Sequence, residues 1–345
     1  MAEPALAVVI VTHESAAYVG DTLRGVSTQL RHGDELVVVD NGSSDHTTEV
    51  ARAAAPQATV LEQRDNLGFA AGCNAGAAAS SAALLLFLNP DAMPAAGCLD
   101  ELRRIGELRP GWGAWQALVT MNGGAAINTA GNVVHFLGIG WAGGCGDPVA
   151  RAPSEPTEVG FASGAALVVR RADWERLGGF DERYFMYCED MDLGLRLWLT
   201  GSAVGLAPAA RVEHDYEFAK GERKWFLLER NRWWTLVSVY PARLLLLLAP
   251  ALFVAEIALL AVAARGGWLR AKLRAQVAVV RELPQLLERR RRVQAARTAS
   301  DRQFAQRLTA EVDNPHLGGL AGISFLVRAQ RAYWASVLRL LPKRS

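Results

Sequence analysis

The sequence predicts an α/β fold, in which a mostly parallel, Rossmann-like sheet carries helices on both faces, followed by a helical C-terminal region. Two observations support this prediction. In the first ninety residues, short continuous apolar runs alternate with helix-like segments, a pattern typical of buried parallel strands joined by crossovers. After residue 240 the pattern changes to a long apolar run and then to a strongly basic stretch.

The predicted strands are continuous apolar runs with a polar residue at most at their ends or at Thr59, as expected for strands that helices cover on both faces. They are Val8–Val11, Leu36–Asp40, Ala58–Glu62 and Leu84–Asn89. Polar clusters follow them at Thr12–Glu14, Asp40–Asp45, Arg64–Asn66 and Asn89–Asp91. Ligands of such sheets bind beyond the carboxyl ends of the strands, so the sequence predicts a binding site at this edge.

The middle of the chain has a different composition. Residues 110–160 are rich in Gly, Trp, Asn and Pro, which predicts irregular loops and hairpins that wall a second pocket. Beyond them, Ala162–Arg170 predicts another apolar strand. The segment 188–201 begins with acidic residues, continues with amphipathic spacing and stops at Gly201, which predicts a helix.

Charge is distributed unevenly along the 345 residues, although the net charge is only +2. Residues 1–264 carry 20 basic and 30 acidic side chains, whereas 265–345 carry 17 and 5. The acidic body argues against nucleic acid as the main partner, and the basic tail behind an apolar run favours an anionic membrane surface. RNA binding by Arg289–Arg292 is poorly supported, because no aromatic residues interleave them.

The apolar run Leu244–Ala264 has 21 residues, close to the ~20 that span a bilayer, but it contains Pro250 and Glu256. A single crossing from a cytoplasmic body would place the basic segment Arg265–Leu308 outside, against the positive-inside rule. We therefore predict a re-entrant or interfacial insertion, with a buried core helix as the alternative. No signal-peptide pattern precedes the first strand, and the four cysteines have no metal-ligand or disulfide spacing, so we expect a cytoplasmic body with reduced thiols.

Each polar motif has a structural interpretation beside the functional one. Asp40 could accept a hydrogen bond from a base or ribose, or it could belong to an ordinary strand-to-helix turn. Asp91 could hold a hard divalent cation, although Asn-Pro-Asp is also a common turn opening. The glycine-rich segment Arg64–Gly76 lets backbone approach a ligand closely, but it does not match the dinucleotide fingerprint.

Three acids, Glu189, Asp190 and Asp192, open the predicted amphipathic helix. That is more than helix capping needs, and a carboxylate there could accept a proton from an acceptor hydroxyl as a general base. His214 follows another short predicted strand. A single histidine is more often structural than catalytic, so its function would require a partner.

In this order, the motifs VVIVTHES, LVVVDNGSSD, RDNLGFAAGCNAG, LNPDA, CEDMDLGLRL and VEHDYEF resemble the inverting family-two glycosyltransferases of the GT-A fold. The resemblance covers about residues 5–235. Within this family, the sequence resembles the rhamnosyltransferase-like branch, in which Asn-Pro-Asp replaces the more usual Asp-x-Asp. It implies a GT-A domain over 1–235, with a nucleotide-binding half at 1–105 and an acceptor-binding half at 106–235. The helical, basic, membrane-associated region would then be 236–345.

The resemblance also implies residue roles. Asp190 would be the catalytic base, supported by Glu189, and Asp91 with His214 would bind Mn²⁺ or Mg²⁺. The nucleotide-sugar contacts would be Thr12, Glu14, Asp40, Asn41, Arg64, Asn66, Asn89 and Asp91. The acceptor would be framed by Ser163 and Gly164, with Trp115 and Trp141 as sugar-stacking platforms. The alternative for these tryptophans is a place in the core or at a membrane interface.

The implied reaction is a metal-assisted single displacement that inverts the anomeric centre. The expected donor is dTDP-rhamnose, with UDP- and GDP-linked sugars as alternatives, and the expected acceptor is a lipid-linked or cell-envelope glycan at the cytoplasmic face of the membrane. Asn89 removes one carboxylate from the usual pattern, which weakens the case for tight metal binding. The competing hypotheses are an inactive membrane-bound GT-A scaffold and a nucleotidyltransferase, although no triphosphate loop with Lys or Arg follows the first strand.

Overall fold

The structure of the protein, a computed structural model, describes residues 5–215, 221–311 and 324–342. The last part of the VEHDYEF motif, residues 216–218, lies outside them. The chain forms two compact units. The first comprises the described residues within 1–132, 142–197 and 202–216, and the second comprises those within 133–141, 198–201 and 217–345. The sequence-based boundary at 235 stays a prediction.

The first unit is built on one large sheet, and the four predicted strands at its start all form. The strands of the chain are β1 Leu6–Thr12, β2 Glu35–Asp40, β3 Thr59–Glu62, β4 Leu84–Leu88, β5 Met93–Pro94, β6 Trp112–Met121, β7 Ala126–Thr129, β8 Asn132–Val134, β9 Gly140–Ala142, β10 Thr157–Glu158, β11 Ala166–Arg170 and β12 Ala203–Glu213. The main sheet has the order β10-β12-β6-β11-β4-β1-β2-β3, and β8 and β9 pair separately. This confirms the predicted α/β class.

Strand direction decides which chain ends share an edge. β1 pairs in parallel with β2 and β4, and Thr12 lies beside Asp40 at their ends. β11 runs antiparallel to both β4 and β6, whereas β12 runs parallel to β6. The carboxyl ends of β1, β2, β3, β4, β6 and β12 therefore meet the start of β11 at one edge of the sheet.

Helices connect these strands and continue through the C-terminal region. They are α1 Val19–Ser27, α2 Thr47–Ala54, α3 Phe69–Ala78, α4 Cys98–Leu108, α5 Arg171–Leu177, α6 Glu189–Leu199, α7 Glu222–Val239, α8 Ala242–Arg265, α9 Leu269–Arg281, α10 Leu283–Ala295, α11 Asp301–Ala305 and α12 Ser324–Leu340. The small residues of α3 have a packing reason. A Cβ on Gly72 or Gly76 would lie 2.6 or 2.3 Å from the side chains of Val11 or Val9, so α3 approaches β1 more closely than alanine would allow.

The prediction of irregular loops at 110–160 is wrong for its first part. Trp112–Met121 forms β6, a ten-residue strand inside the sheet, and its first nine residues are buried. Its glycine and tryptophans suggested loop composition, but Gly113 stands where a Cβ would meet Leu197 at 2.6 Å. Short strands and turns follow β6, as expected for the rest of this region.

In the second unit, the predicted apolar run lies in α8. Among the described residues, this 24-residue helix alone has the length and composition to cross a membrane, with a mean hydropathy of 2.6 and 11% burial over its most apolar window. The helix continues through Pro250, so the run does not fold back on itself as a re-entrant hairpin would. The low burial also contradicts a core helix.

Glu256, the acid within α8, belongs to a buried cluster of four charges in the second unit. Lys272 Nζ lies 2.8 Å from Glu256 Oε2 and 2.7 Å from Glu229 Oε1, and Arg232 pairs with both carboxylates. Burial by itself would raise the pKa of Glu229, but Arg232 and Lys272 outweigh it and hold that pKa below its usual value. Opposite charges thus compensate for placing Glu256 in an apolar helix.

The basic run Arg289–Arg292 on α10 is only partly available to an external anion. Arg289 is buried and donates to Ser238 Oγ, and Arg290 donates to the carbonyl oxygens of Val237 and Tyr240. These two guanidinium groups bond the C-terminal end of α7, where backbone carbonyls lack helical partners. Arg291 and Arg292 are exposed, so half of the run remains a solvated surface.

Candidate active site

The first two strand ends are tied together through Asp40. Thr12 Oγ1 donates to Asp40 Oδ1 over 2.9 Å, and Ser43 donates to both carboxylate oxygens through its backbone N–H and hydroxyl. The Thr12 side chain is fully buried, and the predicted contact of Thr12 with a nucleotide stays a prediction. Its role here is to orient Asp40, which is 3% exposed.

Glu14 extends this cluster into solvent. Its backbone has a left-handed conformation, with φ of 52°, which is uncommon for a residue with a side chain. Its Oε1 accepts hydrogen bonds from the N–H and hydroxyl of Ser44, and its own N–H donates to Ser43 Oγ. The turn after β2 therefore holds a carboxylate from the turn after β1.

The loop between β3 and α3 approaches the same cluster. Asn66 Oδ1 accepts from the N–H of Gly68, and Asn41 Nδ2 donates to the Gly68 carbonyl over 2.8 Å. Asn41 is 2% exposed, so its amide holds the loop rather than facing solvent. Arg64, at the start of this loop, is exposed. The predicted residues of this loop thus divide into an exposed cation and internal amide contacts.

Asn89, Asp91 and His214 meet at the ends of β4 and β12. His214 Nε2 lies 3.1 Å from Asp91 Oδ1 and 3.4 Å from the Asn89 amide nitrogen. The His214 side chain is 4% exposed, whereas that of Asp91 is 39% exposed. The partner that His214 needed is therefore Asp91, 123 positions earlier in the chain.

The side chains of Asp91 and His214 fit two neighbouring ligand positions of a divalent cation. An imidazole nitrogen and a carboxylate oxygen suit Mn²⁺, and neighbouring ligands of an octahedral ion lie about 3 Å apart when each is ~2.1 Å from it. Among the described residues there is no group of three His, Cys, Asp or Glu side chains arranged to hold a metal. Any ion here would need further oxygen ligands from a substrate phosphate or water.

Asp190 lies in the first turn of α6 and faces the start of β11. Its Oδ2 accepts from the N–H of Gly164 over 3.1 Å, and its Oδ1 accepts from the N–H of Met191. Burial raises the pKa of Asp190 to about 6, against the lowering effect of these backbone bonds. A carboxylate with that pKa is ionised at neutral pH and still basic enough to take a proton.

Glu189 has a different environment from Asp190. It is 5% exposed, and its Oε2 has no hydrogen-bond partner among the described residues. Burial, and next the charge of Asp190, raise the pKa of Glu189 well above its usual value. Burial and the neighbouring carboxylate both favour the protonated form of Glu189, and protonation would limit charge repulsion at the start of α6.

Two hydrogen bonds support this site, and one of them comes from Gln116, a residue that had no signal in the sequence. Gln116, fully buried on β6, accepts from the N–H of Ser163 through its Oε1 over 2.8 Å. Asn89 N–H donates to the Ala165 carbonyl, so the loop before β11 is held from both sides. These contacts bring Gly164, and with it Asp190, next to the strand end that carries Asp91.

A buried ion pair between Asp192 and Arg196 stabilises α6. Asp192 Oδ2 lies 2.7 Å from Arg196 Nε, and Asp192 Oδ1 accepts from the Tyr184 hydroxyl. Arg196 also donates to the carbonyl oxygens of Leu177 and Gly179. The i, i+4 spacing of Asp192 and Arg196 could have indicated a helical pair. Their burial and their contacts with the preceding loop could not be read from that spacing.

The loop before α6 is strained. Phe185, Tyr187 and Cys188 all have positive φ, between 62° and 69°, which costs energy for residues with side chains. The Phe185 carbonyl accepts from the N–H of Ala70, and a Cβ on Gly68 would lie 2.4 Å from that carbonyl oxygen. The Arg64–Gly68 loop and the approach to Asp190 are thus in direct contact.

The two tryptophans that were predicted as sugar-stacking platforms are both buried. Trp115 is fully buried in the core of the first unit, and its indole N–H donates to the Leu102 carbonyl. Trp141, in the second unit, is 8% exposed and lies against His135, with ring centres 6.3 Å apart. Trp115 therefore fits the alternative, a place in the core, whereas the acceptor-binding role of Trp141 stays a prediction.

Comparison with known proteins defines the class. The profile described as Glycosyl transferase family 2 matches residues 7–104, and Glycosyl transferase family group 2 matches 85–280, more than half of the chain. The chain therefore belongs to glycosyltransferase family 2. It is a nucleotide-sugar-dependent glycosyltransferase, which confirms the resemblance seen in the motifs.

Individual relatives are more specific. The N-acetylglucosaminyl-diphospho-decaprenol L-rhamnosyltransferase of Mycobacterium tuberculosis is 31% identical over 238 residues, covering 63% of this chain and 78% of that protein. Rhamnosyltransferase WbbL of Escherichia coli K12 is 40% identical over 77 residues, covering 22% and 28% of the two chains. The mannosyltransferase PcManGT of Pyrobaculum calidifontis, solved with GDP-Man and Mn²⁺, has a TM-score of 0.51 at 19% identity and 86% coverage of both chains. That likeness supports the GT-A fold.

Proposed function

We propose that the protein transfers L-rhamnose from dTDP-rhamnose to a lipid-linked glycan of the cell envelope, with inversion at the anomeric carbon. The name of the mycobacterial relative supports both the sugar and the diphosphate-linked lipid acceptor. The observation that carries the proposal is the carboxylate of Asp190, whose pKa is raised to about 6 and which Gly164 orients at the sheet edge. UDP- and GDP-linked sugars are the alternative donors.

The donor side of the proposed site uses the turns after the first four strands. Asp40, oriented by Thr12 and Ser43, and exposed Glu14 would meet the nucleoside, with Asn66 and Asn41 shaping the loop beneath it. The exposed guanidinium of Arg64 would lie near the nucleotide phosphates. Asn89 and Asp91 would face the sugar diphosphate.

Asp91 and His214 would hold Mn²⁺ or Mg²⁺, because their donor atoms lie 3.1 Å apart and both residue types bind such ions. Bound there, the ion would supply positive charge against the departing nucleoside diphosphate. Asn89 does not add a carboxylate, so we expect the protein itself to bind metal weakly and the nucleotide sugar to complete the site.

The proposed chemical step uses Asp190 as general base. Its carboxylate takes the proton of an acceptor hydroxyl, that oxygen bonds to the anomeric carbon, and the bond from this carbon to the diphosphate oxygen breaks. Attack opposite the leaving group inverts the configuration. Ser163 and Gly164 would position the acceptor, and the hydrogen bond from the Gly164 N–H to Asp190 supports this role for Gly164.

The direct test is a panel of nucleotide sugars with the purified full chain, with and without Mn²⁺, read as thermal stabilisation. We expect dTDP-rhamnose to stabilise the protein most. Transfer to a synthetic N-acetylglucosaminyl-diphosphoprenol would then be assayed, with the anomeric configuration of the product determined. Absence of binding by every nucleotide sugar of the panel would favour the hypothesis of an inactive scaffold instead.

Asp91→Ala is expected to remove the Mn²⁺-dependent part of this stabilisation. The aspartate supplies a charged oxygen ligand, and His214 by itself holds such an ion poorly. Asp147→Ala, which changes an exposed carboxylate outside the site, is the matched control. Equal Mn²⁺ increments in Asp91→Ala and the unaltered protein would contradict the metal assignment.

Gly68→Ala is expected to lower both donor affinity and stability. Its φ is 90°, and the added Cβ would lie 2.4 Å from the Phe185 carbonyl oxygen, so the donor loop must move. Gly97→Ala is a matched control, because φ there is 77° but nothing lies within 4 Å. Backbone strain of about 1–2 kcal/mol should be common to both variants.

We therefore expect the donor Kd to rise at least about tenfold in Gly68→Ala and less than about twofold in Gly97→Ala. Isothermal titration with the donor would measure both. Similar losses in the two variants would show that strain, not the contact with Phe185, sets the effect.

We also propose that the body lies at the cytoplasmic face of the membrane and that the second unit contacts an anionic surface. The weakly buried apolar helix α8 and the exposed Arg291 and Arg292 support this placement. Flotation of the full chain with vesicles that contain or lack anionic lipid would test it, since loss of binding in neutral vesicles is expected.

A further inference from the structure

Gln116 lies in the interior of the first unit, in the middle of β6. Its side chain is fully buried, and its backbone lies beside Leu167 of β11 and Leu206 of β12. An apolar residue would occupy such a place without the cost of removing an amide group from water. The Gln116 amide is therefore stable there only through its hydrogen bonds, and those bonds show which part of the chain it holds.

Both ends of this amide bond to backbone groups. Oε1 of Gln116 accepts from the N–H of Ser163 over 2.8 Å, and Nε2 donates to the Ala117 carbonyl over 3.1 Å. A second carbonyl, that of Thr129, lies 3.5 Å from Nε2. Because only the amide nitrogen can donate to these carbonyls, they fix which end of the side chain faces Ser163. The side chain thus connects β6 to the loop before β11 in one orientation.

Ser163 begins a tight turn that leads into β11. The N–H of Ala166 donates to the Ser163 carbonyl over 3.2 Å, which closes the turn. The N–H of the second turn residue, Gly164, bonds to a group outside the turn, namely Asp190 Oδ2 at 3.1 Å. Gln116 therefore holds the first residue of a turn whose second residue bonds to Asp190.

Glycine at position 164 makes the direction of this N–H depend on neighbouring contacts. Gly164 has no side chain that would restrict rotation of its backbone. Phe69 of α3 favours glycine here, since an added Cβ would lie 3.2 Å from the Cε1 atom of its ring. On the exit side of the turn, the Asn89 N–H donates to the Ala165 carbonyl. On the entry side, the hydrogen bond to Gln116 holds the chain.

We propose that Gln116 is a positioning residue for the general base: by holding the turn at Ser163, it directs the Gly164 N–H at the Asp190 carboxylate and fixes the orientation of that carboxylate. This role rests on the proposed function, in which Asp190 takes the proton of the acceptor hydroxyl. Gln116 acts through the turn, because its own side chain is fully buried.

Loss of this anchor should change two properties of Asp190. The carboxylate would no longer be held in one direction, so fewer encounters with the acceptor hydroxyl would have the geometry for proton transfer. Burial raises the pKa of Asp190, and the hydrogen bond from Gly164 opposes this effect by stabilising the ionised form. A weaker bond from Gly164 should therefore raise this pKa further.

Gln116→Met tests the role, because methionine has a similar volume but offers no amide oxygen to the Ser163 N–H. We expect kcat for transfer to fall at least about tenfold, while the donor Kd changes less than about twofold. The pH at which the transfer rate is half of its plateau should rise by at least about half a unit. Gln116→Leu removes the same acceptor with a different side-chain shape and replaces Gln116→Met if that variant does not fold.

Thr120→Val is the matched control on the same strand. Thr120 is buried, and its hydroxyl donates to the Val212 carbonyl of β12 over 3.4 Å rather than to the turn. Valine keeps the shape of the side chain and removes that buried hydroxyl. We expect kcat to change less than about twofold and the pH midpoint to stay unchanged. Equal effects of Thr120→Val and Gln116→Met would overturn the proposal, as would a lower Tm of Gln116→Met with unchanged kcat and pH midpoint.

A direct titration separates this role from the proposed function. The Asp190 carboxyl would be followed by ¹³C NMR of the full chain with labelled aspartate, and Asp190→Asn would assign its signal. We expect a higher titration midpoint in Gln116→Met than in the unaltered protein, with Glu189, the titratable neighbour of Asp190, kept in both. Absence of transfer in the unaltered protein would contradict the proposed function and leave this titration to decide the role of Gln116. Equal midpoints in the two proteins would overturn that role.

Discussion

Replacing Asp190 with asparagine is expected to lower the rate of sugar transfer by about 10²–10⁴-fold, while the donor Kd changes less than about twofold. Asparagine keeps the shape of the side chain and an acceptor oxygen for the Gly164 N–H. It removes the group that takes the proton of the acceptor hydroxyl. The effect should therefore appear in kcat rather than in donor binding.

The pH dependence provides a second measurement of the same residue. Burial raises the pKa of Asp190 from 3.8 to about 6, and only the ionised form is a base. The transfer rate of the unaltered protein should therefore rise with pH up to about 6 and level off above it. A rate that stays constant between pH 4.5 and 7 would contradict the assignment of Asp190 as base.

The thermal stability of Asp190→Asn is the control that separates a loss of catalysis from a loss of folding. Because the folded state holds the proton of this carboxyl more tightly than the unfolded chain, stability falls as pH rises from about 4 to about 6. At pH 7 the ionised side chain is a cost to folding, so Asp190→Asn should not lower Tm. Glu175→Gln, at a carboxylate that is 64% exposed, should change neither activity nor Tm.

Asp192→Ala is expected to destabilise the protein by about 3–5 kcal/mol, the usual effect of removing one partner of a buried ion pair. The side chains of Asp192 and Arg196 are 1% and 5% exposed, and their charged atoms lie 2.7 Å apart. Alanine would leave the guanidinium charge buried without its carboxylate. The Tyr184 hydroxyl would lose its acceptor as well.

The double variant Asp192→Leu with Arg196→Met tests the physical cause. If the uncompensated charge dominates, this apolar pair should be more stable than Asp192→Ala, although it removes more polar contacts. Urea denaturation at pH 7 would compare the free energies of unfolding. A double variant less stable than Asp192→Ala would instead show that the bonds of Arg196 to the Leu177 and Gly179 carbonyls dominate.

Strand positions were predictable because continuous apolar runs indicate burial on both faces, whatever the strand order. The four strands predicted in the first ninety residues form within two residues of their expected ends, whereas the strand predicted over Ala162–Arg170 begins four residues later, at Ala166. β6 was missed because its glycine content suggested a loop, although tryptophan itself favours strands. In this sheet Gly113 is required by close packing against Leu197, and Trp115 fills the core.

The residues of the candidate site were also predictable only in part. Asp91, Asp190 and His214 stood out because charged residues directly follow apolar strands or open a helix. Their proximity depends on contacts between distant segments, such as Asn89 with Ala165 and Gly164 with Asp190. No local pattern records such contacts, so Gln116 had no signal at all.

The sequence by itself determined the α/β class, the family and the order of the polar motifs, because burial patterns and motif order are properties of a linear chain. Only the tertiary structure decided which polar side chains face the interior. The buried Thr12 hydroxyl orients Asp40, and Glu256 is compensated by Lys272 and Arg232. Burial of a particular atom depends on what packs against it, and in this chain those partners come from other elements of the fold.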